Sequence, residues 1–136
     1  MKKITAGLLT ILGLLSACHQ NTQVNTKDPL ESGRGFIESS LKGDYDQAQK
    51  YLLQDSTNMQ YLNNWRDFYN SSESDSDKEG YRTANILIDS TQQVSDSVSI
   101  ITYSNTYKNV PSKIKLVRKG RDWLVDLKFT FRGNTQ

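Results

Sequence analysis

The sequence predicts an α+β domain: helices first, then a curved four-stranded antiparallel sheet against which they pack. Two observations predict it. Between residues 28 and 69, apolar side chains recur at three- and four-residue spacings behind helix-capping boxes. From Tyr81 onward the apolar period becomes two, and turn signals separate the runs.

The first helix opens at Asp28-Pro29-Leu30-Glu31, where Asp28 caps, Pro29 suits the first turn and Glu31 completes a capping box. Leu30, Ile37 and Leu41 share a face with Phe36 beside it, and Gly33 and Gly35 permit close packing. Gly43 is placed to end this helix. A second helix starts at Asp44-Tyr45-Asp46-Gln47, with Ala48, Tyr51 and Leu52 facing inward. A third is expected over residues 58–69, with Met59, Leu62, Trp65, Phe68 and Tyr69 on its inner side. Residues 70–80 hold no apolar side chain and predict an exposed loop.

In the sheet, Ala84, Ile86 and Ile88 alternate with Asn85, Leu87 and Asp89, and residues 90–96 predict a polar turn. Val98 and Ile100 share one face, but the apolar set then shifts to Ile101, Tyr103 and Tyr107. That change of phase predicts a β-bulge near Ile100. Lys108-Asn109 and Pro111 mark a turn. Ile114 and Leu116 alternate with Lys113, Lys115 and Val117, and Lys119-Gly120 predicts a tight hairpin. The last strand is expected to carry Trp123, Val125, Leu127, Phe129 and Phe131 on one face and Asp122, Asp126, Lys128 and Arg132 on the other. That places Asp126 in solvent. A bent sheet with helices on its concave side encloses a cone-shaped space.

The N-terminus has a separate logic. Lys2 and Lys3 precede an apolar run from Ile4 to Leu15, about half the ~20 residues a spanning helix needs and broken by Gly7 and Gly13. Such a run is the core of a secretory signal peptide. It ends in Leu15-Ser16-Ala17-Cys18, which resembles the bacterial lipobox. The resemblance implies cleavage before Cys18 and lipidation of its sulfur, with palmitate-type acyl chains anchoring the chain in a membrane. Cys18 is the only cysteine, so lipidation consumes a thiol that has no disulfide partner. The expected organisation is a signal peptide at 1–17, the lipidated Cys and a flexible polar tether at 18–27, the domain at 28–132 and a tail at 133–136. By the same resemblance, His19-Gln20-Asn21 lacks the Asp beside Cys that retains lipoproteins at the inner membrane, and lacks the acidic run of surface-exported ones. The implied location is the periplasmic face of the outer membrane.

Charge narrows the partners. Formal net charge is +2, but removing Lys2 and Lys3 from the 17 Lys and Arg leaves 15, equal to the 15 Asp and Glu. A neutral mature domain gives nucleic-acid binding no electrostatic support. The charges are uneven: Asp67, Glu73, Asp75, Asp77 and Glu79 form an acidic stretch, and Lys108, Lys113, Lys115, Arg118, Lys119 and Arg121 a basic one. The bland explanation is two solvated surfaces; the sharper one is a docking face.

Three segments carry a family resemblance. These are the first helix from Pro29 through Phe36 and Ile37, the junction Leu41-Lys42-Gly43-Asp44-Tyr45-Asp46-Gln47-Ala48, and the hairpin from Leu116 through Lys119-Gly120 to Trp123 and Asp126. Together they resemble the nuclear transport factor 2-like (cystatin-like) superfamily, and more narrowly the small uncharacterised lipoproteins of Bacteroidetes-type bacteria that carry such a domain. The matching residues are packing and turn residues, so the resemblance implies the fold and not a reaction.

Enzymes of that superfamily use polar residues inside the cone, and its ketosteroid-isomerase-like members pair a general-base Asp with an oxyanion hole. The acids available to such a role are Asp89, Asp122 and Asp126. The sequence holds no CxxC, HExxH, GxSxG or glycine-rich phosphate loop. One His, adjacent to the anchor, and one Cys leave no His/Cys metal site. Glu73, Asp75, Asp77 and Glu79 lack the glycine and the terminal glutamate spacing of an EF-hand. No catalytic, metal or cofactor-binding residue is therefore assigned. Trp65, Tyr103, Tyr107 and Trp123 are the candidate pocket residues, set against ordinary core packing. The expected function is a non-catalytic, membrane-tethered domain that binds an envelope protein or a small ligand. The alternatives are a lyase- or isomerase-like enzyme in the cone, or a purely structural envelope lipoprotein.

Overall fold

A computed structural model describes residues 23–132. The lipobox, Cys18 and His19, and the tail at 133–136, lie outside the described residues. The elements run α1 (Pro29–Leu41), α2 (Tyr45–Gln49), α3 (Ser56–Ser72), α4 (Asp75–Thr83), β1 (Ile86–Ser95), β2 (Val98–Asn105), β3 (Ser112–Lys119), β4 (Asp122–Asp126) and α5 (Leu127–Arg132). The strands form one antiparallel sheet in sequence order, with the helices packed on it, as the α+β expectation has it.

The helix starts follow from capping. Asp28, Asp44 and Asp55 each accept a hydrogen bond from a backbone N–H of their helix's first turn, at 3.0, 3.0 and 2.9 Å. Helix α1 lies close to the sheet because glycine allows it: a Cβ on Gly33 would stand 2.5 Å from Ile101 Cδ1, and one on Gly35 would fall on the Tyr51 ring. Phe36 and Ile37 of α1, Leu52, and Leu62 of α3 pack into one core with Ile101, Ile114, Leu116, Trp123 and Val125 from the sheet. Ser32 ties α1 to β4 by donating its hydroxyl to the Trp123 carbonyl at 2.6 Å.

Four expectations are corrected. Residues 70–80 are not a loop: α3 runs to Ser72, and α4 follows from an Ser74 cap that accepts the Asp77 N–H at 3.1 Å. Asp75 and Asp77 suit the positive end of this helix, but it buries no residue and so leaves no apolar period in the sequence. Strand β1 continues through the expected turn to Ser95, for the same reason: its far half is exposed on both faces, and no alternation marks it. The register shifts lie on β1, between Ile88 and Ser90 and between Gln93 and Ser95, while β2 pairs with β3 without a break across Ile100. The phase change on β2 arises because both its faces carry apolar residues: Ile101 and Tyr103 are buried, whereas Val98 and Ile100 point the other way and are half-buried.

The fourth correction concerns the last strand, which stops at Asp126. Asn58, fully buried at the start of α3, accepts the Leu127 N–H at 2.8 Å and donates its amide to Asp55 at 2.8 Å. That bond turns the chain out of the ladder into α5, where Phe131 stacks on Tyr61 at 4.9 Å. Asp126 is 8% exposed instead of solvated. It accepts the Lys128 N–H at 3.2 Å and has the Lys128 ammonium 3.5 Å away.

The expected tether is fastened at its end. The Trp123 N–H donates to the Thr26 carbonyl at 2.7 Å, and Lys27 pairs with Asp122 at 2.7 Å. Leu53 and Tyr51 bond Val125 farther along, so the β4 edge is covered on that side.

Candidate functional site

Where α1 ends, α2 begins and α3 passes over the sheet, a cleft of about 430 Å³ remains. Its apolar wall comes from Ile37 and Leu41 of α1, Trp65 and Phe68 of α3, and Val110 from the loop between β2 and β3. Tyr45, Tyr69, Tyr81 and Tyr103 also line it, with Glu73 at the α3–α4 joint and Ser112, Asn105 and Lys108 at the sheet end.

Tyr45 is held rigidly. It follows the Asp44 cap, is 4% exposed, and meets the rings of Trp65 at 6.3 Å and Tyr69 at 5.7 Å, both edge-on. Its hydroxyl is the one fully buried side-chain polar atom among the described residues with no hydrogen-bond partner. Burial, then the neighbouring Tyr69 and Glu73, push its ionisation above the usual tyrosine range, so it stands as a neutral hydroxyl. Tyr103 is buried deeply enough to have its ionisation pushed up to about 12, and its hydroxyl reaches Ser112.

One side of the cleft is held by a latch. The Tyr107 hydroxyl donates to Asp77 at 2.7 Å, and the Lys108 ammonium donates to the same oxygen at 3.0 Å. Ser74 bonds the other oxygen at 2.7 Å. Tyr107, Ser74 and Lys108, in that order, hold the Asp77 carboxyl well below the usual carboxylate range. Tyr107 also stands edge-on to Tyr81 at 5.1 Å, and Gly80 admits its ring because a Cβ there would collide with it. The latch joins α4 to the β2–β3 loop, and it is where the acidic and basic stretches of the sequence meet.

Of the four candidate pocket residues, Trp65 and Tyr103 line the cleft. Tyr107 does not; it is spent on the latch. Trp123 does not either: it is buried at the other end of the sheet, between Ser32 and Thr26. Asp89, Asp122 and Asp126 all lie away from the cleft. Asp122 is bound to Thr26 at 2.5 Å and to Lys27, and Asp89 sits exposed on β1. Of the acidic loop residues, Asp77 serves the latch, Glu79 pairs with Arg82 at 2.6 Å, and Glu73 alone reaches the cleft. Tyr45, Tyr69 and Glu73 escaped sequence reasoning as site residues. The i, i+4 pair Trp65 and Tyr69 on α3 carried the signal for two aromatic walls.

No protein-family model and no curated protein matches the chain. Among solved structures, an NTF-2-like protein of unknown function from Shewanella oneidensis MR-1 resembles it with a TM-score of 0.52 at 12% identity, over 71% of this chain and 89% of that one. At that identity the likeness speaks to architecture alone. The helices on a four-stranded antiparallel sheet form a nuclear transport factor 2-like fold.

Proposed function

We propose that this chain is an envelope lipoprotein, anchored through Cys18 on the periplasmic face of the outer membrane, whose domain binds a small, largely apolar molecule in the cleft without transforming it. The single observation that carries the binding reading is the cleft itself, about 430 Å³ walled by Ile37, Leu41, Trp65 and Val110 with a few polar side chains at its edge. A largely apolar hollow with a small number of polar groups is the usual form of a small-molecule site. Asp89, Asp122 and Asp126, the acids the superfamily comparison offered, lie outside the cleft, and the one carboxylate in its lining, Glu73, has no His beside it among the described residues, which supports binding over chemistry.

The binding is tested with N-phenyl-1-naphthylamine, a neutral aromatic dye that brightens in apolar sites. It is expected to bind the full chain, and Leu41→Glu, which sets a carboxylate in the apolar wall, is expected to weaken it at least tenfold with an unchanged circular dichroism spectrum. No dye binding, or equal binding by Leu41→Glu, overturns the cleft as the site. Anchoring is tested separately by palmitate labelling. Cys18→Ala is expected to abolish both the label and signal cleavage, and a labelled, cleaved variant overturns it.

A further inference from the structure

We infer that the cleft selects an organic cation: an ammonium group on an apolar body, such as a benzylic or alkyl amine. The inference rests on the binding role proposed above and specifies its ligand class. Tyr45 meets Trp65 and Tyr69 at 64° and 63°, so the three rings are turned different ways, and all three line the cleft. Tyr81 closes another side. Aromatic walls of this kind attract a cation through the negative faces of the rings. The rings here already do so for the protein's own cations: the Lys78 ammonium lies 5.5 Å from the Tyr69 centroid, and Lys108 lies 4.6 Å from Tyr107 and 5.8 Å from Tyr81.

Charge points the same way. Lys108, the cation in the lining, is spent on Asp77. Glu79 is likewise paired with Arg82. Glu73 is half-buried in the lining, and no Lys or Arg among the described residues forms an ion pair with it. Glu73 shares the lining with Tyr45, Tyr69 and Tyr81, and its charge raises the ionisation of all three. A carboxylate among aromatic rings rewards a cation twice, by charge and by the ring faces, and repels an anion. Ile37, Leu41 and Val110 supply contact for the apolar body.

The test is calorimetric titration with a matched benzyl series. Benzyltrimethylammonium carries the cation, 2-methyl-1-phenylpropan-2-ol is its neutral near-isostere, and phenylacetate is the anion. The cation is expected to bind at least about tenfold tighter than the alcohol, with phenylacetate weakest. Glu73→Gln is expected to remove most of that preference. Glu79→Gln, which deletes the same charge outside the cleft, is expected to keep it, and thermal melts confirm that both variants fold. Equal binding of cation and alcohol, tighter binding of phenylacetate, or a preference untouched by Glu73→Gln overturns the inference. If the neutral dye binds while the series shows no cation preference, the cleft remains a binding site and only the ligand class falls. If neither dye nor series binds, both fall.

Discussion

Removing the Tyr45 hydroxyl should make the protein more stable and leave its binding unchanged. In Tyr45→Phe the ring keeps its edge contacts with Trp65 and Tyr69, and only the oxygen is lost. That oxygen is buried and unpartnered, so the folded state bears its desolvation without a compensating bond. An unsatisfied buried hydroxyl costs about 1–3 kcal/mol, and a substitution that removes it recovers about 1–2 kcal/mol once relaxation is allowed for. For a domain of roughly 100 residues, 1 kcal/mol moves the midpoint by about 4 °C or somewhat more, so Tm should rise by about 4–8 °C. Differential scanning calorimetry of the two proteins reads this directly. Tyr69→Phe is the control, since that hydroxyl is less buried, and it should shift Tm by far less. Dye and cation affinity should stay unchanged in Tyr45→Phe while Tm rises, because the oxygen is sealed from the cleft and the ring is kept. An unchanged or lowered Tm would show that the hydroxyl is already satisfied in the folded protein, and the reasoning that counts it as a buried cost would fail.

Other expectations concern the scaffold. Asn58→Ala strips the Leu127 N–H of its acceptor and should cost about 2–4 kcal/mol, with fraying of α5 visible as fast amide exchange after residue 126; slow exchange there would refute the capping role. Asp55 is drawn down to about 2, first by its bond from Lys128 and then by the Asn58 N–H. The unfolded carboxylate takes up its proton near its ordinary 3.8, before the folded one does. Stability from this group is therefore complete above about pH 4 and lost as pH falls toward 2, and Asp55→Asn, which can still cap α3, should flatten that part of an acid melting series. Gly35→Ala pits a helix-propensity gain of up to about 1 kcal/mol against a collision with the buried Tyr51 ring costing about 1–3 kcal/mol. Denaturant unfolding should show net loss, and a stabilised variant would mean the ring moves aside freely.

How far the sequence spoke depended on whether burial left a period in it. Helices α1 to α3 and strands β2 and β3 each bury a face, and their spacing showed it. Helix α4 and the far half of β1 bury nothing, so only the Ser74 cap with its acidic first turn hinted at the helix. The segment after Asp126 misled for a different reason: Leu127, Phe129 and Phe131 satisfy a period of two, while Leu127 and Phe131 equally satisfy the i, i+4 spacing of a helix. Long-range Asn58 decided between them, which no local pattern contains. At the site, Trp65 and Tyr103 were visible as inward aromatics. Trp123 has the same local signature, and only the tertiary arrangement puts it at the far end of the sheet. Glu73 sat in a stretch of carboxylates, and nothing in the sequence separated it from neighbours paired with basic residues.

The docking of Thr26 on Trp123 also sets a direction. That bond lies beside the Lys119–Asp122 turn, at one end of the sheet. The cleft is framed at the other end, by Tyr103 and its cross-strand partner Ser112. The eight residues of β3 separate the two, about 25 Å. Val24 packs against the core, so on the proposed anchoring the five residues between Cys18 and Val24 give a leash of at most about 20 Å, attached at the Thr26–Trp123 end of the domain. The cleft then lies at the end of the domain farther from its attachment. A ligand would meet it more readily from the periplasm than from the lipid beneath, as in a cup held by its base.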